Sequence, residues 1–388
     1  STQAKTLFPY TTLFRSECYV VVPEIAKNNS GKKKVLASVL AGLALVGVGA
    51  QMGTPVDAYR SPDGSVNTQD SRINIAANAK PSNSVGVNSI VVGYQNTTDN
   101  EDGTTALGAN NQAYGNSGLA VGNQNESRGG ASTAIGAGNR ASGAATVAIG
   151  NVSNANAKSA IAIGSYNNVN YKKGTWATAP LQAGAYSTVV GNYSSATGRE
   201  SAAMGVYSNS VGPGSFAAGY KENALGQNSV AIGSENTSHV ADTITLGQQN
   251  NAKTMGGISI GKNNLTDSAD GKRDDVERNK ENSQIAIGRD NTATNLDAIA
   301  IGRDTHATGS GATALGARAD ASGNNAIAIG QSGKDSARVV ASGVNSIAIG
   351  MQSQATGESA IAEGPGSRAG GKYGVALGRT TKANAEAA

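Results

Sequence analysis

A short pattern of apolar and small residues recurs along most of the chain. It consists of an apolar residue, alanine, an apolar residue and glycine, as in VAIG at 147–150 and again at 230–233. The closing glycine occurs nineteen times, and fourteen of the eighteen spacings between copies are 14 residues. A fixed period of this kind is typical of solenoids, in which every repeat forms one coil.

The closing glycines serve as reference points, and other positions in the repeat are counted from them. They are Gly93, Gly108, Gly122, Gly136, Gly150, Gly164, Gly191, Gly205, Gly219, Gly233, Gly247, Gly261, Gly288, Gly302, Gly316, Gly330, Gly350, Gly364 and Gly378. The exceptional spacings are 15, 27, 27 and 20 residues, so extra material interrupts an otherwise regular array.

Alternation around each glycine predicts a short β-strand. Large apolar residues stand immediately before the glycine and two positions earlier, with alanine between them in fifteen of nineteen copies. Period two is the signature of a strand with two different faces. We expect the residue before the glycine, such as Ile149, Ile163 or Ile301, to face inward. Alanines such as Ala148 and Ala231 would then line a flat outer face suited to close approach of another chain, or would merely tolerate solvent.

A weaker repeat follows each glycine by five and seven residues, as at Ala141 and Gly143 or Ala307 and Gly309. Between the two repeats lie Asn, Asp, Ser and Gln, which favour turns. One 14-residue unit therefore holds two short strands and two turns. The pattern predicts an all-β fold, a parallel β-roll whose stacked coils form a rod of about 90 Å at about 4.8 Å per coil.

Composition argues against several functional classes. The chain has 388 residues with 52 Gly, 4% aromatic residues and a net charge of +4. Residues 51–388 carry 25 basic and 25 acidic residues, so the positive charge lies at the N-terminus and no nucleic-acid partner is expected. With Cys18, His239 and His306 as the only thiol and imidazoles, we expect no metal site, no cofactor and no catalytic residues, hence no enzyme. A secreted solenoid enzyme is the least favoured alternative.

The N-terminal region has the plan of an export signal. Three lysines at 32–34 precede a run of small and apolar residues ending at Ala50, which is typical of a signal peptide. We expect residues 17–50 to be an extended signal peptide and residues 51–84 to be a separate N-terminal segment. Residues 1–16 are expected to be a sequencing artefact, because TLFPYTTLFRS is similar to a translated adapter oligonucleotide. The alternative is a genuine N-terminal extension.

The S-V-A-I-G phrase with a 14-residue period, over residues 85–378, resembles the YadA-like head of trimeric autotransporter adhesins. The sequence before the lysines also resembles the extended signal region of large autotransporters. The resemblance implies a left-handed parallel β-roll, a homotrimer and display at the bacterial cell surface. It further implies that an outer-membrane anchor follows residues 379–388 in a part of the protein missing here.

The same resemblance implies a function. Heads of this family attach bacteria to host extracellular-matrix proteins such as collagen, to host cells or to one another, without catalysis. The alternative is a structural spacer that projects a more distal binding domain.

One insertion supplies the candidate ligand-binding residues. The segment 165–187 contains Tyr166, Tyr171, Lys172, Lys173 and Trp176 in a chain that is otherwise poor in aromatic residues. Aromatic and cationic side chains dominate binding hot spots, so we expect a ligand contact here. The alternative is a loop whose aromatic residues cover a coil edge or a groove between subunits.

Two further departures from the repeat need an explanation. The insertion at 262–284 is densely charged with both signs, which favours a solvated loop. Glu363 occupies a position that is apolar in other copies. Because a buried unpaired carboxylate is costly, we expect it to be exposed near the end of the roll rather than to form an ion site.

Overall fold

The computed structural model describes residues 73–76, 88–98, 101–169, 184–268, 283–332 and 337–387. All of them belong to the unit of residues 54–388, and the unit of residues 1–53 lies outside the described part. The predicted artefact and extended signal peptide therefore stay untested, as do most of residues 51–84.

The described chain is entirely β-structure, built from long and short strands that alternate. The long strands are β1 (Ile73–Ala76), β2 (Ile90–Tyr94), β4 (Thr105–Ala109), β6 (Leu119–Asn123), β8 (Thr133–Ala137), β10 (Val147–Asn151), β12 (Ile161–Ser165), β14 (Thr188–Asn192), β16 (Ala202–Val206), β18 (Phe216–Tyr220), β20 (Val230–Ser234), β22 (Ile244–Gln248), β24 (Ile258–Lys262), β26 (Ile285–Arg289), β28 (Ile299–Arg303), β30 (Thr313–Ala317), β32 (Ile327–Gln331), β34 (Ile347–Ile349), β36 (Ile361–Glu363) and β38 (Val375–Leu377).

The short strands come between them and form a second sheet. They are β3 (Thr97–Thr98), β5 (Gln112–Ala113), β7 (Glu126–Ser127), β9 (Arg140–Ala141), β11 (Asn154–Ala155), β13 (Asn168–Val169), β15 (Ser195–Ala196), β17 (Asn209–Ser210), β19 (Asn223–Ala224), β21 (Thr237–Ser238), β23 (Asn251–Ala252), β25 (Leu265–Asp267), β27 (Thr292–Thr294), β29 (His306–Ala307), β31 (Ala319–Ala321), β33 (Val339–Ala341), β35 (Gln354–Ala355), β37 (Arg368–Ala369) and β39 (Lys382–Ala383).

Each strand pairs in parallel with its equivalent in the next coil, and the register follows the sequence repeat. Val147 lies opposite Ile161, and Ile149 lies opposite Ile163. The register survives the insertions, because Ile163 lies opposite Val190 across the first of them. Strands β24 and β26 keep the same alignment across the second insertion. Strands β32 and β34 keep it across the six extra residues between Gly330 and Gly350, which we call the six-residue excursion. The expected parallel solenoid of about 14-residue coils is confirmed, and β1 extends its sheet upstream of residue 85.

The prediction of which strand face points inward was wrong. Alanines between the large apolar residues, including Ala148 and Ala231, are completely buried. Ile163 and Ile301, which precede closing glycines, are each 37% exposed. The apolar core is therefore mostly alanine, with a few valines such as Val91 and Val189, and the large apolar side chains next to the closing glycines cover the outside of the long-strand sheet.

The physical reason is the width of the coil. Fourteen residues that include two turns bring the two strands close together, so the space between them is filled mainly by small side chains. A second buried alanine follows the first by seven residues, half a period, as Ala155 follows Ala148. These two positions face the interior from opposite strands. The alternation then forces isoleucine and valine outward despite their apolar character.

The closing glycine is required by both backbone conformation and space. Gly150 has φ of +124°, a region that is essentially open only to glycine. A Cβ at this position would collide with the carbonyl of Gly164 in the next coil. Each closing glycine therefore stacks directly on the closing glycine of the next coil, and this stacking keeps the coils in the same register.

The third residue after the closing glycine forms a polar ladder inside the roll. In most coils this ladder position holds a buried Asn, Ser or Thr. The Asn125 amide donates to the carbonyls of Val121 (2.8 Å) and Gly136 (2.7 Å). Its Oδ1 accepts from the backbone N–H and the side-chain amide of Asn139, both at 3.0 Å. Each ladder asparagine of the described residues thus donates to two backbone carbonyls, one in its own coil and one in the next, and so ties successive coils together.

Candidate functional site

The long-strand sheet exposes an apolar surface along the whole roll. We call it the outer apolar face and define it by the first and third residues before each closing glycine. The residues in the first of these columns are Val92, Leu107, Val121, Ile135, Ile149, Ile163, Val190, Met204, Ala218, Ile232, Leu246, Ile260, Ile287, Ile301, Leu315, Ile329, Ile349 and Leu377, with Glu363 as the exception. Contiguous apolar surface of this extent marks an interaction site in a protein exposed to water.

Glu363 interrupts this face near its C-terminal end. Its strand pairs it with Ile349 on one side and Leu377 on the other, and the carboxylate is exposed. The expectation of an exposed position near the end of the roll is confirmed.

A second surface is formed by tyrosines that stack on one another in successive coils. We call Tyr166, Tyr193, Tyr207 and Tyr220 the tyrosine column. The rings of Tyr166 and Tyr193 are parallel within 3°, with centroids 4.9 Å apart, and Tyr193 stacks on Tyr207 at 5.2 Å. Tyr220 meets Tyr207 edge-on at 6.5 Å. All four side chains are between 44% and 50% exposed.

The turn between the two strands sets the position of this column. Tyr166, Tyr193 and Tyr207 are each the second residue after a closing glycine, where the backbone has φ of 53° to 56°. The left-handed region costs a bulky residue about 1 kcal/mol. Ring stacking contributes about 0.5–1.5 kcal/mol and offsets part of that cost. Because the ring faces cover one another, the column presents ring edges and hydroxyls to the solvent.

Cationic and acidic side chains continue the column beyond Tyr220. Lys221 lies 5.0 Å from the centre of the Tyr220 ring and 3.5 Å from the Glu235 carboxylate. Hydrogen bonds with Tyr220 and then with Glu235 hold the pKa of Lys221 above its usual value. Gln249 in the following coil donates to Glu235 at 3.0 Å. The surface therefore changes from aromatic to charged within one coil.

The predicted ligand-binding residues fall partly within the described chain. Tyr166 lies at one end of the tyrosine column. Tyr171, Lys172, Lys173 and Trp176 lie outside the described residues, so their role stays a prediction.

Sequence reasoning missed the other three members of the column. Tyr193 and Tyr207 share the second position after the glycine with Tyr166, and Tyr220 stands one position earlier. That shared place in the repeat was the signal that could have found them.

Several charged groups elsewhere on the described surface form ion pairs, and Asp304 lies at the centre of one cluster. Asp304 accepts from Arg338 at 2.9 Å and lies 3.4 Å from Arg318 and 3.5 Å from His306. Arg338 also donates to the Asp304 backbone carbonyl at 2.9 Å, which ties the six-residue excursion to an earlier coil. No group of three potential ligands in the described residues could hold a metal ion. Nor does that part of the chain contain a helix that could span a bilayer.

Comparison with known families identifies the repeat. The model of the YadA head domain repeat matches residues 84–111, 100–125, 127–153, 141–167, 183–208, 196–221, 211–236, 285–305, 307–332 and 341–367. These segments cover more than half of the chain, and no curated protein matches it individually. The matched segments are the coils whose strands and closing glycines are described above. The chain therefore belongs to the YadA head family, the adhesin heads of trimeric autotransporters displayed at the cell surface.

Proposed function

We propose that this chain is a non-catalytic adhesin head that assembles as a homotrimer and attaches bacteria to host extracellular matrix or host cells, or to one another. Matrix proteins such as collagen are the proposed ligands. The observation that carries the proposal is a parallel solenoid with two outward surfaces: an apolar face for self-association and an exposed tyrosine column for ligand contact.

The outer apolar face supports the trimer. A single roll leaves Ile163, Ile232 and Ile301 each 37% exposed, and the equivalent residues of other coils continue the row. Symmetric association would remove this row from water in every copy at once. Self-association by the apolar face replaces the alanine-lined contact that sequence reasoning expected, because those alanines form the core.

The tyrosine column supports adhesion. Tyrosine combines a large contact area with few rotatable bonds, so it contributes strongly to binding surfaces. Stacking in successive coils holds Tyr193 and Tyr207 rigid before any ligand arrives, which reduces the entropy lost on binding. The insertion with Lys172 and Trp176 follows β13 directly in sequence and is the proposed second part of the same contact.

Binding of the full chain to immobilised triple-helical collagen and to other matrix proteins tests the proposal. Replacing Tyr193 and Tyr207 together by alanine should weaken binding about tenfold or more, as expected for hot-spot residues. A second variant replaces Tyr171, Lys172 and Trp176 by serine. The matched control is Tyr373→Ala, since Tyr373 is also exposed and has a positive φ but lies in a different turn.

The outcomes separate the proposed function from its alternatives. Loss of binding in either variant but not in the control supports a discrete adhesive site. Binding that survives both variants and declines gradually as whole coils are removed indicates contact distributed along the repeat. A wild-type chain that binds none of the matrix proteins tested contradicts matrix adhesion and favours the spacer.

A further inference from the structure

One ladder position inside the roll holds an ionisable residue. Glu222 is the third residue after Gly219, where the neighbouring coils have Ser208 and Asn236. Its side chain is completely buried. A carboxylate in that environment is costly unless it is paired or hydrogen-bonded throughout.

The hydrogen bonds around Glu222 reproduce half of the ladder. Asn236 donates to Glu222 Oε1 from its side-chain amide at 3.1 Å and from its backbone N–H at 3.4 Å. Asparagine Oδ1 accepts the same two bonds in regular coils, as Asn125 does from Asn139. Oε1 therefore takes the place of the amide oxygen.

The other half of the ladder is missing. In the coils on either side, the ladder residue donates to the closing glycine of the next coil: Ser208 Oγ to the Gly219 carbonyl at 3.0 Å, and Asn236 to the Gly247 carbonyl at 2.8 Å. By the repeat, Glu222 should donate to the Gly233 carbonyl. Its Oε2 is buried without a partner, so the ladder bond from this position to the next closing glycine is not made.

We propose that Glu222 is protonated in the folded head, with Oε2–H donating to the Gly233 carbonyl in place of the ladder amide, so that the middle of the roll responds to pH. A neutral carboxyl has one donor and one acceptor, which is the pair of functions that the ladder asparagine supplies. An ionised carboxylate would instead place negative charge against the carbonyl oxygen and leave both groups without a proton between them.

The surroundings of the carboxyl support this assignment. Burial raises the pKa of Glu222 to about 7, against a lowering by the hydrogen bonds from Asn236. In the described coils packed against it, the uncharged Ser208 and Asn236 occupy the equivalent positions, and only burial and Asn236 shift the pKa of Glu222. Lys221 of the same turn and Glu235 of the next coil pair with each other at the surface.

The direction of the pH effect follows from the raised pKa. The folded chain holds the Glu222 proton up to about pH 7, whereas the unfolded chain releases it near 4.5. Between these values the folded state binds more protons, so stability falls as pH rises through this window and then levels off. The full effect is about 300-fold in the unfolding equilibrium of the affected coils. The head is therefore more stable in mildly acidic surroundings.

Unfolding of the full chain by denaturant at pH 5 and pH 8 tests the proposal with two variants. Glu222→Gln keeps a neutral donor and acceptor at all pH values, so it should remove the Glu222 contribution and be more stable than wild type at pH 8. Glu235→Gln, an exposed carboxylate one coil away, is the control and should keep the wild-type pH dependence. The difference between wild type and Glu222→Gln isolates the carboxyl from every other titrating group of the chain.

The infrared carbonyl band of a neutral carboxylic acid gives a second measurement, which needs no variant. Wild type should show this band at pH 6 and lose it as pH rises through about 7, and Glu222→Gln should lack it. A wild-type spectrum without that band at pH 6 overturns the proposal. So does a Glu222→Gln protein whose stability depends on pH as steeply as that of wild type.

Discussion

Arginine placed at two adjacent positions of one strand should have opposite consequences for the fold and for assembly. Ala300 is completely buried, and its column neighbours Ala286 and Ala314 and the opposing Ala307 are buried equally. Ile301 follows it in the same strand and is 37% exposed. We therefore compare Ala300→Arg with Ile301→Arg.

The expected magnitudes follow from these environments. Ala300→Arg places a guanidinium among alanines with no acidic partner, and an unpaired buried charge costs about 3–5 kcal/mol. Overpacking of the filled interior adds about 1–3 kcal/mol, so the coil should open rather than accept the side chain. Ile301→Arg loses the apolar burial of a side chain that is two-thirds covered. With about 1.5–3 kcal/mol for a fully buried isoleucine, the single chain loses about 1–2 kcal/mol.

The two variants are compared by hydrogen exchange of the backbone amides in residues 283–332. Circular dichroism of the full chain reports whether the strands persist. Ala300→Arg should lose protection throughout these coils, and Ile301→Arg should keep the strand signal and most of its protection. Ile301→Arg should instead shift the association equilibrium toward single chains, because it puts a charge on the outer apolar face. Equal protection in the two variants, or greater loss for Ile301→Arg, would refute the assignment of the inner and outer faces.

Three further substitutions test other parts of the fold. Asn125→Ala should lower the free energy of unfolding by about 3 kcal/mol, because it removes the donor to the Val121 and Gly136 carbonyls and the acceptor of the buried Asn139 backbone N–H. The exposed Asn123→Ala should change it by less than about 0.5 kcal/mol in the same denaturant titration. Gly150→Ala should cost at least about 2 kcal/mol in thermal unfolding, since the positive φ and the Gly164 carbonyl both oppose a Cβ, and a neutral result would contradict the described stacking. Asp304→Asn should change stability by less than about 1 kcal/mol and only at low salt, as surface ion pairs are screened.

Sequence alone was sufficient to predict the coils but not which way their side chains point. The alternation around Gly150 follows from the backbone geometry of any β-strand, and the 14-residue period repeats it, so both could be recognised in the sequence. The inward direction of Ala148 depends on how far apart the two strands of one coil lie, which the alternation does not specify. Ranking the side chains by hydrophobicity led to the wrong prediction that Ile149 faces the interior of the roll. The seven-residue interval between Ala148 and Ala155 was the clue that small residues meet across a narrow interior.

The sequence also does not show which residues of different coils come into contact, and for this reason the tyrosine column and the burial of Glu222 were missed. Tyr193 and Tyr207 share one place in the repeat with Tyr166, but their stacking becomes visible only once the coil rise brings the rings within about 5 Å. Glu222 departs from the ladder pattern, yet a residue in a polar turn gives no sequence signal of complete burial. Glu222 is buried because the turn directs its side chain into the interior of the roll.

Sedimentation equilibrium of the full chain tests the central claim most directly, namely that the large apolar side chains face outward and hold three copies together. The wild-type mass should be three times the 38.7 kDa of one chain. Replacing Ile232 and Ile301 by aspartate should give a folded single chain, whereas replacing Asn209 and Asn223 by aspartate on the opposite sheet should leave the trimer intact. A wild-type protein that sediments as one chain at every concentration would contradict the account, as would a trimer that persists in the Ile232 and Ile301 variant.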